Sequence, residues 1–239
     1  MSVSKRNKQL LILITISCLV LLLWYIPALG IVRYPFMLLG TWFHEMGHGL
    51  TSIVVGAHFD RLEIFANGSG IAYTTYYSDA WVPIHIGRAL VAAGGLLGPA
   101  IAGGILVILS SKPNSARWGM RFLLVVMITS ILLYVRSTTG VWVLLIISIL
   151  LGLVSFVKNK KLTQLTLLFL GIQSTLSTYL QLDYLFTGEF VMEGKLMKSD
   201  TQNIAESLSG SYWMWGVVII IISAFILWRS YRYYLIHSE

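Results

Sequence analysis

His44-Glu45-Met46-Gly47-His48, an HExxH sequence, lies inside the apolar segment from Tyr34 to Val55. On an α-helix, residues at i and i+4 share one face, so both imidazoles can bind a single Zn²⁺, with Glu45 beside it as a candidate general base. The apolar flanks place this helix at membrane depth. Ionisable side chains are costly there, which favours a functional metal site over two histidines that only bond to neighbouring helices.

The composition is that of an integral membrane protein. Of the 239 residues, 56% are hydrophobic and 11% are charged, whereas ordinary soluble domains have about 25% charged residues. The net charge of +7 is spread over short basic clusters between apolar segments, as the positive-inside rule expects, so it does not indicate a nucleic-acid partner. The single cysteine, Cys18, excludes a disulfide framework and a CxxC site. Any zinc site must therefore use histidine and carboxylate ligands.

Apolar segments of spanning or near-spanning length predict the fold, because a transmembrane helix needs about 20 mostly apolar residues. These segments are Leu10–Leu29, Tyr34–Val55, Trp81–Leu109, Phe122–Val135, Val141–Val157, Leu162–Phe186 and Tyr212–Trp228. The first is longer than the apolar core of a signal peptide, usually about 7–15 residues, so we expect an uncleaved helix. The sequence predicts one domain over residues 1–239, an all-α polytopic membrane protein with about six to seven transmembrane segments.

Four basic clusters predict the topology, since all of them, and with them the N-terminus, should be cytoplasmic. The clusters are Lys5/Arg6/Lys8, Lys112/Arg117/Arg121, Lys158/Lys160/Lys161 and Arg229/Arg232. The first and last then require an even number of crossings, whereas the apolar segments give an odd number. We place the discrepancy between Val55 and Lys112. There Gly94-Gly95 and Gly98-Pro99 interrupt Trp81–Leu109, which could form two short helices or a re-entrant hairpin.

The stretch from Phe59 to Tyr77, FDRLEIFANGSGIAYTTYY, is not helical in character. Alternating side chains flank the turn sequence Asn67-Gly68-Ser69-Gly70, which predicts a small β-hairpin directly after the HExxH helix. An exposed edge of this hairpin could accept a substrate strand by β-augmentation. The alternative is a hairpin at the membrane interface that only fills space in the fold.

The third metal ligand remains open between two aspartates. Asp183 lies near the end of an apolar helix, where an unpaired carboxylate is costly and metal binding or ion pairing is favoured. Asp200 follows Ser199 and precedes the sequence TQNIAESL. The alternative to a metal-binding role for Asp200 is a helix N-cap. Less favoured alternatives are His58, Asp60, His85 or a glutamate.

At these residues the chain resembles the site-2 protease family of intramembrane zinc metallopeptidases, especially its compact bacterial branch. The matching stretches are His44–Leu50, Gly56 with the hairpin turn, Ala93–Pro99, and Ser199–Glu206, which looks like a Ser-Asp segment before the last helix of that branch. Better-studied members take their third zinc ligand from a Leu-Asp-Gly helix rich in Asn and Pro. The nearest match here, Leu182-Asp183-Tyr184, lacks the glycine and the preceding Asn and Pro.

The resemblance implies a zinc-dependent endopeptidase that hydrolyses peptide bonds within or next to the membrane. It implies Zn²⁺ held by His44, His48 and either Asp183 or Asp200, and Glu45 as the general base. It also implies a membrane-protein substrate within the lipid bilayer of a bacterial plasma membrane, and it leaves room for a regulatory membrane partner. The alternative is a non-catalytic membrane scaffold or partner-binding protein that retains the fold. A transporter is disfavoured because the sequence lacks paired repeats with ionisable residues in both halves.

Overall fold

Long apolar stretches form the helices of this protein, and short turns with glycine, proline or polar residues separate them. The computed structural model describes residues 3–77, 80–180, 182–192 and 194–238. Within these residues the helices are α1 (Val3–Tyr25), α2 (Gly30–Val54), α3 (Ile84–Leu109), α4 (Pro113–Leu133), α5 (Thr138–Phe156), α6 (Lys160–Leu180), α7 (Leu182–Leu185), α8 (Asp200–Leu208) and α9 (Tyr212–His237). The strands are β1 (His58–Ile64), β2 (Gly70–Thr75), β3 (Glu189–Met192) and β4 (Lys195–Lys198), paired as two antiparallel hairpins.

The predicted fold class is confirmed. Among the described residues, five helices are long and apolar enough to cross a membrane, namely α1, α3, α4, α5 and α9. The long helices α2 and α6 fall outside this group; α2 carries the HExxH residues, and α6 carries a row of buried polar side chains. The chain is an all-α polytopic membrane protein with small β-hairpins.

The segment Trp81–Leu109 does not form two short helices or a re-entrant hairpin, so that expectation is wrong. Helix α3 runs without interruption over Ile84–Leu109 and includes Pro99. The glycines that suggested a break are contact positions instead. A Cβ atom on Gly95 would collide with the His48 ring, and one on Gly98 would lie 2.7 Å from the carbonyl oxygen of Phe43. Helix α3 needs small residues here because α2 lies directly against its backbone.

The basic clusters meet at one end of the molecule, as the topology argument requires. Tyr234 near the end of α9 donates a hydrogen bond to Gln9 of α1 (3.1 Å), and Gln164 of α6 donates one to the carbonyl of Ser111 before α4 (3.2 Å). We call this end the basic face. It is defined by these four residues and by the basic residues beside them in the chain: Arg6, Lys8, Lys112, Lys158, Lys160, Lys161, Arg229 and Arg232.

Helices α2 and α6 lie side by side. Helix α6 runs away from the basic face, and α2 runs alongside it in the same direction. The ring of Phe36 contacts that of Phe169, and one turn further along Gly40 lies against Ser177. Helix α1 also leads away from the basic face, where its residue Gln9 lies. Five of the described helices have the length and hydropathy of a membrane span, so the even number of crossings stays a prediction.

The hairpin after the HExxH helix forms where the sequence predicts it. Strands β1 and β2 pair antiparallel, with Leu62 opposite Ala72 and Ile64 opposite Gly70. In the turn, Gly68 has a φ of +94°, a left-handed conformation that glycine adopts without strain. The side-chain oxygen of Asn67 accepts a hydrogen bond from the Ser69 amide (3.0 Å), which fixes the turn locally.

The outer edge of β1 is occupied by the connection between α4 and α5. The Leu62 amide donates to the carbonyl of Tyr134 and its carbonyl accepts from the amide of Arg136, both at 2.9 Å. The amide of Ile64 donates to the hydroxyl of Ser137 at 2.8 Å. The hairpin is therefore attached to α4 and α5 through β1, and its other strand, β2, faces the HExxH helix.

A second hairpin, β3–β4, was not predicted. It joins α7 to α8 and turns at Gly194, whose φ is +75°. The sequence signal was short: two four-residue runs, Phe-Val-Met after Glu189 and Leu-Met-Lys after Lys195, around one glycine. The predicted segment Leu162–Phe186, which precedes this hairpin, is also not a single helix: α6 ends at Leu180, and the short helix α7 covers Leu182–Leu185.

Candidate metal centre

Two histidines of α2 and one aspartate of α8 converge on one point. The Nε2 atoms of His44 and His48 lie 3.0 Å apart. Oδ2 of Asp200 lies 3.0 Å from Nε2 of His44 and 3.4 Å from Nε2 of His48. Among the described residues, this is the group of histidine and carboxylate ligands close enough to hold one metal ion.

The donor set fits zinc. Zinc takes imidazole nitrogen at about 2.0–2.1 Å and carboxylate oxygen at about 2.0–2.2 Å in tetrahedral geometry, so neighbouring ligand atoms should lie roughly 3.3 Å apart. The three distances between ligand atoms here, 3.0, 3.0 and 3.4 Å, are close to that spacing. Three protein ligands leave the fourth position for water or substrate, as in catalytic zinc sites.

Neighbouring groups orient two of the three side chains. Nδ1 of His48 lies 2.8 Å from the carbonyl oxygen of Val91 in α3, and donating there leaves Nε2 free to bind a metal. The hydroxyl of Tyr184 donates to Oδ2 of Asp200 (3.0 Å). Such partners of the ligands fix their rotamers and strengthen metal binding.

Asp200 reaches the site because α8 begins at that residue. Ser199 is the N-cap: its hydroxyl accepts a hydrogen bond from the amide of Gln202 at 3.2 Å. The capping role that the sequence offered to Asp200 therefore belongs to Ser199, and the carboxylate of Asp200 is left for the histidines. Its side chain is 10% exposed.

The structure does not bring Asp183 to the histidines. Asp183 is exposed on α7, and its backbone carbonyl accepts a hydrogen bond from the hydroxyl of Thr187 (2.6 Å). Nor does it bring His58 or Asp60, which pair with each other on β1 at 2.9 Å. Hydrogen bonds from Thr75 and then from His58 lower the pKa of Asp60, so its carboxylate is ionised in a local hairpin contact.

Glu45 is buried beside the metal ligands, 4% exposed, with β2 packed over it. A Cβ atom on Gly70 would lie 2.8 Å from Oε1 of Glu45 and 2.7 Å from the methyl carbon of Thr41. Gly70 is therefore needed for the close approach of the strand to this helix. The hydroxyl of Thr41 donates to the carbonyl of Gly68 at 2.6 Å and holds the turn in place.

Two cavities meet at the site. An apolar cavity of about 380 Å³ lies between α2, α6 and the turn of the first hairpin and includes Met37 and Leu96 in its wall. A polar cavity of about 630 Å³ lies between β2, the start of α3 and α8 and includes His85 and Arg88. Both are lined by His44, Glu45, Gly70, Tyr184, Phe190 and Met192.

The glycines Gly94, Gly95 and Gly98 of α3 do not open a water channel between α2 and α3. In the structure those positions are filled by α2: a Cβ atom on Gly94 would collide with the side chain of Thr51. The open space lies on the other side of the site, between β2 and α8.

The free edge of β2 borders these cavities. Leu62 directs its amide and carbonyl away from β2, toward Tyr134 and Arg136. Opposite residues in an antiparallel pair point their backbone groups the same way, inward or outward, so Ala72 directs its own amide and carbonyl to the free edge of β2. Gly70, two residues away, does the same, and both residues line the polar cavity.

Sequence reasoning missed Tyr184, Phe190 and Met192. Tyr184 followed the aspartate that drew attention as a ligand, and its own position in a Leu-Asp-Tyr sequence offered no sign of a role. Phe190 and Met192 belong to the unpredicted hairpin; the alternation in Glu189–Met192 was the available signal.

A family comparison agrees with this geometry. The model of the family described as Peptidase M50B-like matches residues 3–230, nearly the whole chain. No curated protein and no solved structure matches the chain. The HExxH helix, the convergent aspartate and the membrane helices agree with this match. The chain therefore belongs to the Peptidase M50B-like family, and thus to the membrane metallopeptidases of the site-2 protease type.

Proposed function

We propose that this protein is a zinc-dependent endopeptidase that hydrolyses peptide bonds within or next to the membrane. The observation that carries the proposal is the convergence of His44, His48 and Asp200 on one point beside the buried carboxylate of Glu45. Those three residues would hold Zn²⁺, and Glu45 would serve as the general base.

The chemistry follows from the positions of these groups. When bound, zinc lowers the pKa of a coordinated water to about 7 and polarises the carbonyl that is attacked. Glu45 takes the proton of the attacking water and then delivers it to the nitrogen of the leaving amine. His48 keeps its orientation through the carbonyl of Val91, and Asp200 through the hydroxyl of Tyr184.

The substrate is an extended segment of a membrane protein. A transmembrane helix hides its carbonyls in its own hydrogen bonds, so it must unwind before it can be cut. The outward carbonyl of Ala72 can accept a hydrogen bond from an unwound strand by β-augmentation, while the Ala72 amide faces the carboxylate of Glu45. Residues on one side of the cut bond would lie in the apolar cavity, and residues on the other side in the polar cavity.

Replacement of Glu45 by Gln tests the proposal against a non-catalytic scaffold. Purified wild-type protein and Glu45→Gln are reconstituted with a panel of single-span membrane proteins, and both zinc content and cleavage are measured. We expect about one zinc per chain in each, with cleavage reduced more than a hundredfold in Glu45→Gln. Equal cleavage by the two proteins, or a wild type that takes up no zinc during titration, would refute the proposal.

A further inference from the structure

A cavity on the basic face is separate from the metal centre. It has a volume of about 390 Å³ and lies where α1, α4, α6 and α9 meet. Lys8, Lys160 and Lys161 line it, together with Tyr234, and its lining contains no acidic residue among the described part of the chain. Lys160 is 3.3 Å from the side-chain oxygen of Asn114. The side-chain ammonium groups of Lys8 and Lys161 have no hydrogen-bond or ion-pair partner within the described ranges.

Two buried glutamine side chains line the same cavity. Gln9 is 7% exposed and Gln164 is 8% exposed. The side-chain oxygen of Gln9 accepts from Tyr234, which leaves its NH₂ group without a partner among the described residues. The NH₂ group of Gln164 donates to the carbonyl of Ser111. The cavity thus offers cationic groups and a buried amide donor, the groups that bind phosphate oxygens.

An apolar groove continues from this cavity. It lies between α1 and α6, has a volume of about 520 Å³, and shares Ile12 and Leu165 with the cavity on the basic face. Leu11, Ile16 and Phe169 extend its walls away from the basic face. From Lys160 to Phe169 the helix rises about 14 Å, which is enough to hold much of an acyl chain.

We propose that the cavity and the groove together bind one anionic phospholipid, with its phosphate among the three lysines and an acyl chain between α1 and α6. Charge complementarity selects an anionic headgroup, since no carboxylate in the described lining offsets the lysines. The groove selects a lipid over a free anion, because a soluble phosphate would leave the apolar walls unused. The proposal does not depend on peptidase activity.

The test measures lipid binding to the full-length protein in detergent, by native mass spectrometry with phosphatidylglycerol and with phosphatidylcholine. We expect one tightly bound phosphatidylglycerol per chain and weak binding of phosphatidylcholine. Lys160→Gln and Lys161→Gln should each lower the affinity about fivefold, the effect of one basic residue near an anionic lipid. Lys158→Gln is the matched control: Lys158 lies just before α6 and outside the cavity, and the variant should bind the lipid within twofold of wild type.

Two further arms separate a lipid from a free anion. Leu11→Gln places a polar group in the exposed part of the groove and should weaken binding, whereas Leu10→Gln, outside the groove, should not. Inorganic phosphate at millimolar concentration should not displace the lipid. Equal binding of both lipids, an equal loss in Lys158→Gln, or displacement by phosphate would each overturn the proposal.

Discussion

The hydroxyl of Tyr184 lies 3.0 Å from Oδ2 of Asp200, the same oxygen that lies 3.0 Å from Nε2 of His44. One carboxylate oxygen of Asp200 thus contacts both the Tyr184 hydroxyl and the two histidines of the candidate metal centre. The aromatic ring of Tyr184 is also near that of His44, with 6.0 Å between the ring centroids. Tyr184 therefore restricts the position of the Asp200 carboxylate.

Replacing Tyr184 by Phe removes this hydrogen bond and keeps the ring. We expect zinc affinity to fall 10–100-fold, the usual effect of losing a hydrogen bond to a ligand, while the protein stays folded. Competition with a zinc chelator measures the affinity. Tyr179→Phe is the control, since its hydroxyl bonds to the carbonyl of Ile220 at 3.3 Å, away from the site. Equal affinities for the two variants would show that Tyr184 does not orient the ligand.

The two candidate third ligands can be separated directly. Asp200→Asn should lose most of the bound zinc, because the amide is a poor ligand beside two neutral imidazoles. Asp183→Asn, on the exposed surface of α7, should keep about one zinc per chain. Metal analysis of the purified proteins measures both. Zinc loss in Asp183→Asn with retention in Asp200→Asn would contradict the geometry described here.

Proline at position 72 tests the free edge of β2. Ala72→Pro removes an amide that points away from β1, and proline is tolerated at such edge positions. We expect unchanged zinc content but at least a tenfold loss of membrane-substrate cleavage, since the amide removed donates to Glu45 and lies at the edge where a substrate strand would pair. Ala72→Ser, which keeps the amide, should cleave at nearly the wild-type rate. Full activity of Ala72→Pro would argue that substrate does not pair with this strand.

Packing between α2 and α3 should be sensitive to a single methyl group. In Gly95→Ala the new Cβ would collide with the ring of His48, so we expect lower zinc content and a lower melting temperature. Gly152→Ala in α5 is the matched change, since no atom lies within 4 Å of its Cβ position. It should be neutral or stabilise by about 0.5–1 kcal/mol, the usual preference for Ala over Gly within a helix. Thermal unfolding with metal analysis distinguishes the two.

Local patterns made part of this structure predictable. The apolar segment Tyr34–Val55 became α2, which carries His44, Glu45 and His48 within two turns, and Asn67–Gly70 became the turn of the first hairpin. Both features depend on residues near each other in the chain. The hydrophobic pattern, the HExxH spacing and the turn residues therefore sufficed.

Other features depend on distant contacts. The sequence could not choose between Asp183 and Asp200, because what distinguishes them is which one the β3–β4 hairpin and α8 turn toward α2. Hydropathy also could not show that α2 runs in the same direction as α1. That direction follows from the packing of Phe36 and Gly40 against α6. The glycines of α3 resembled a break because their contacts with α2 cannot be read from α3 alone.

The hydrogen bonds of Leu62 with Tyr134 and Arg136 connect β1 to the ends of α4 and α5. Neither helix supplies a residue to the candidate metal centre. Their connection nevertheless fixes the position of β1, and through β1 it fixes the position of β2 relative to α2. Under the proposed function, a change in residues 134–137 would shift which substrate bond reaches Glu45 and leave His44, His48, Asp200 and Glu45 in place. The proposed peptidase could then change its cleavage position without changing its catalytic power, because different helices would control the two.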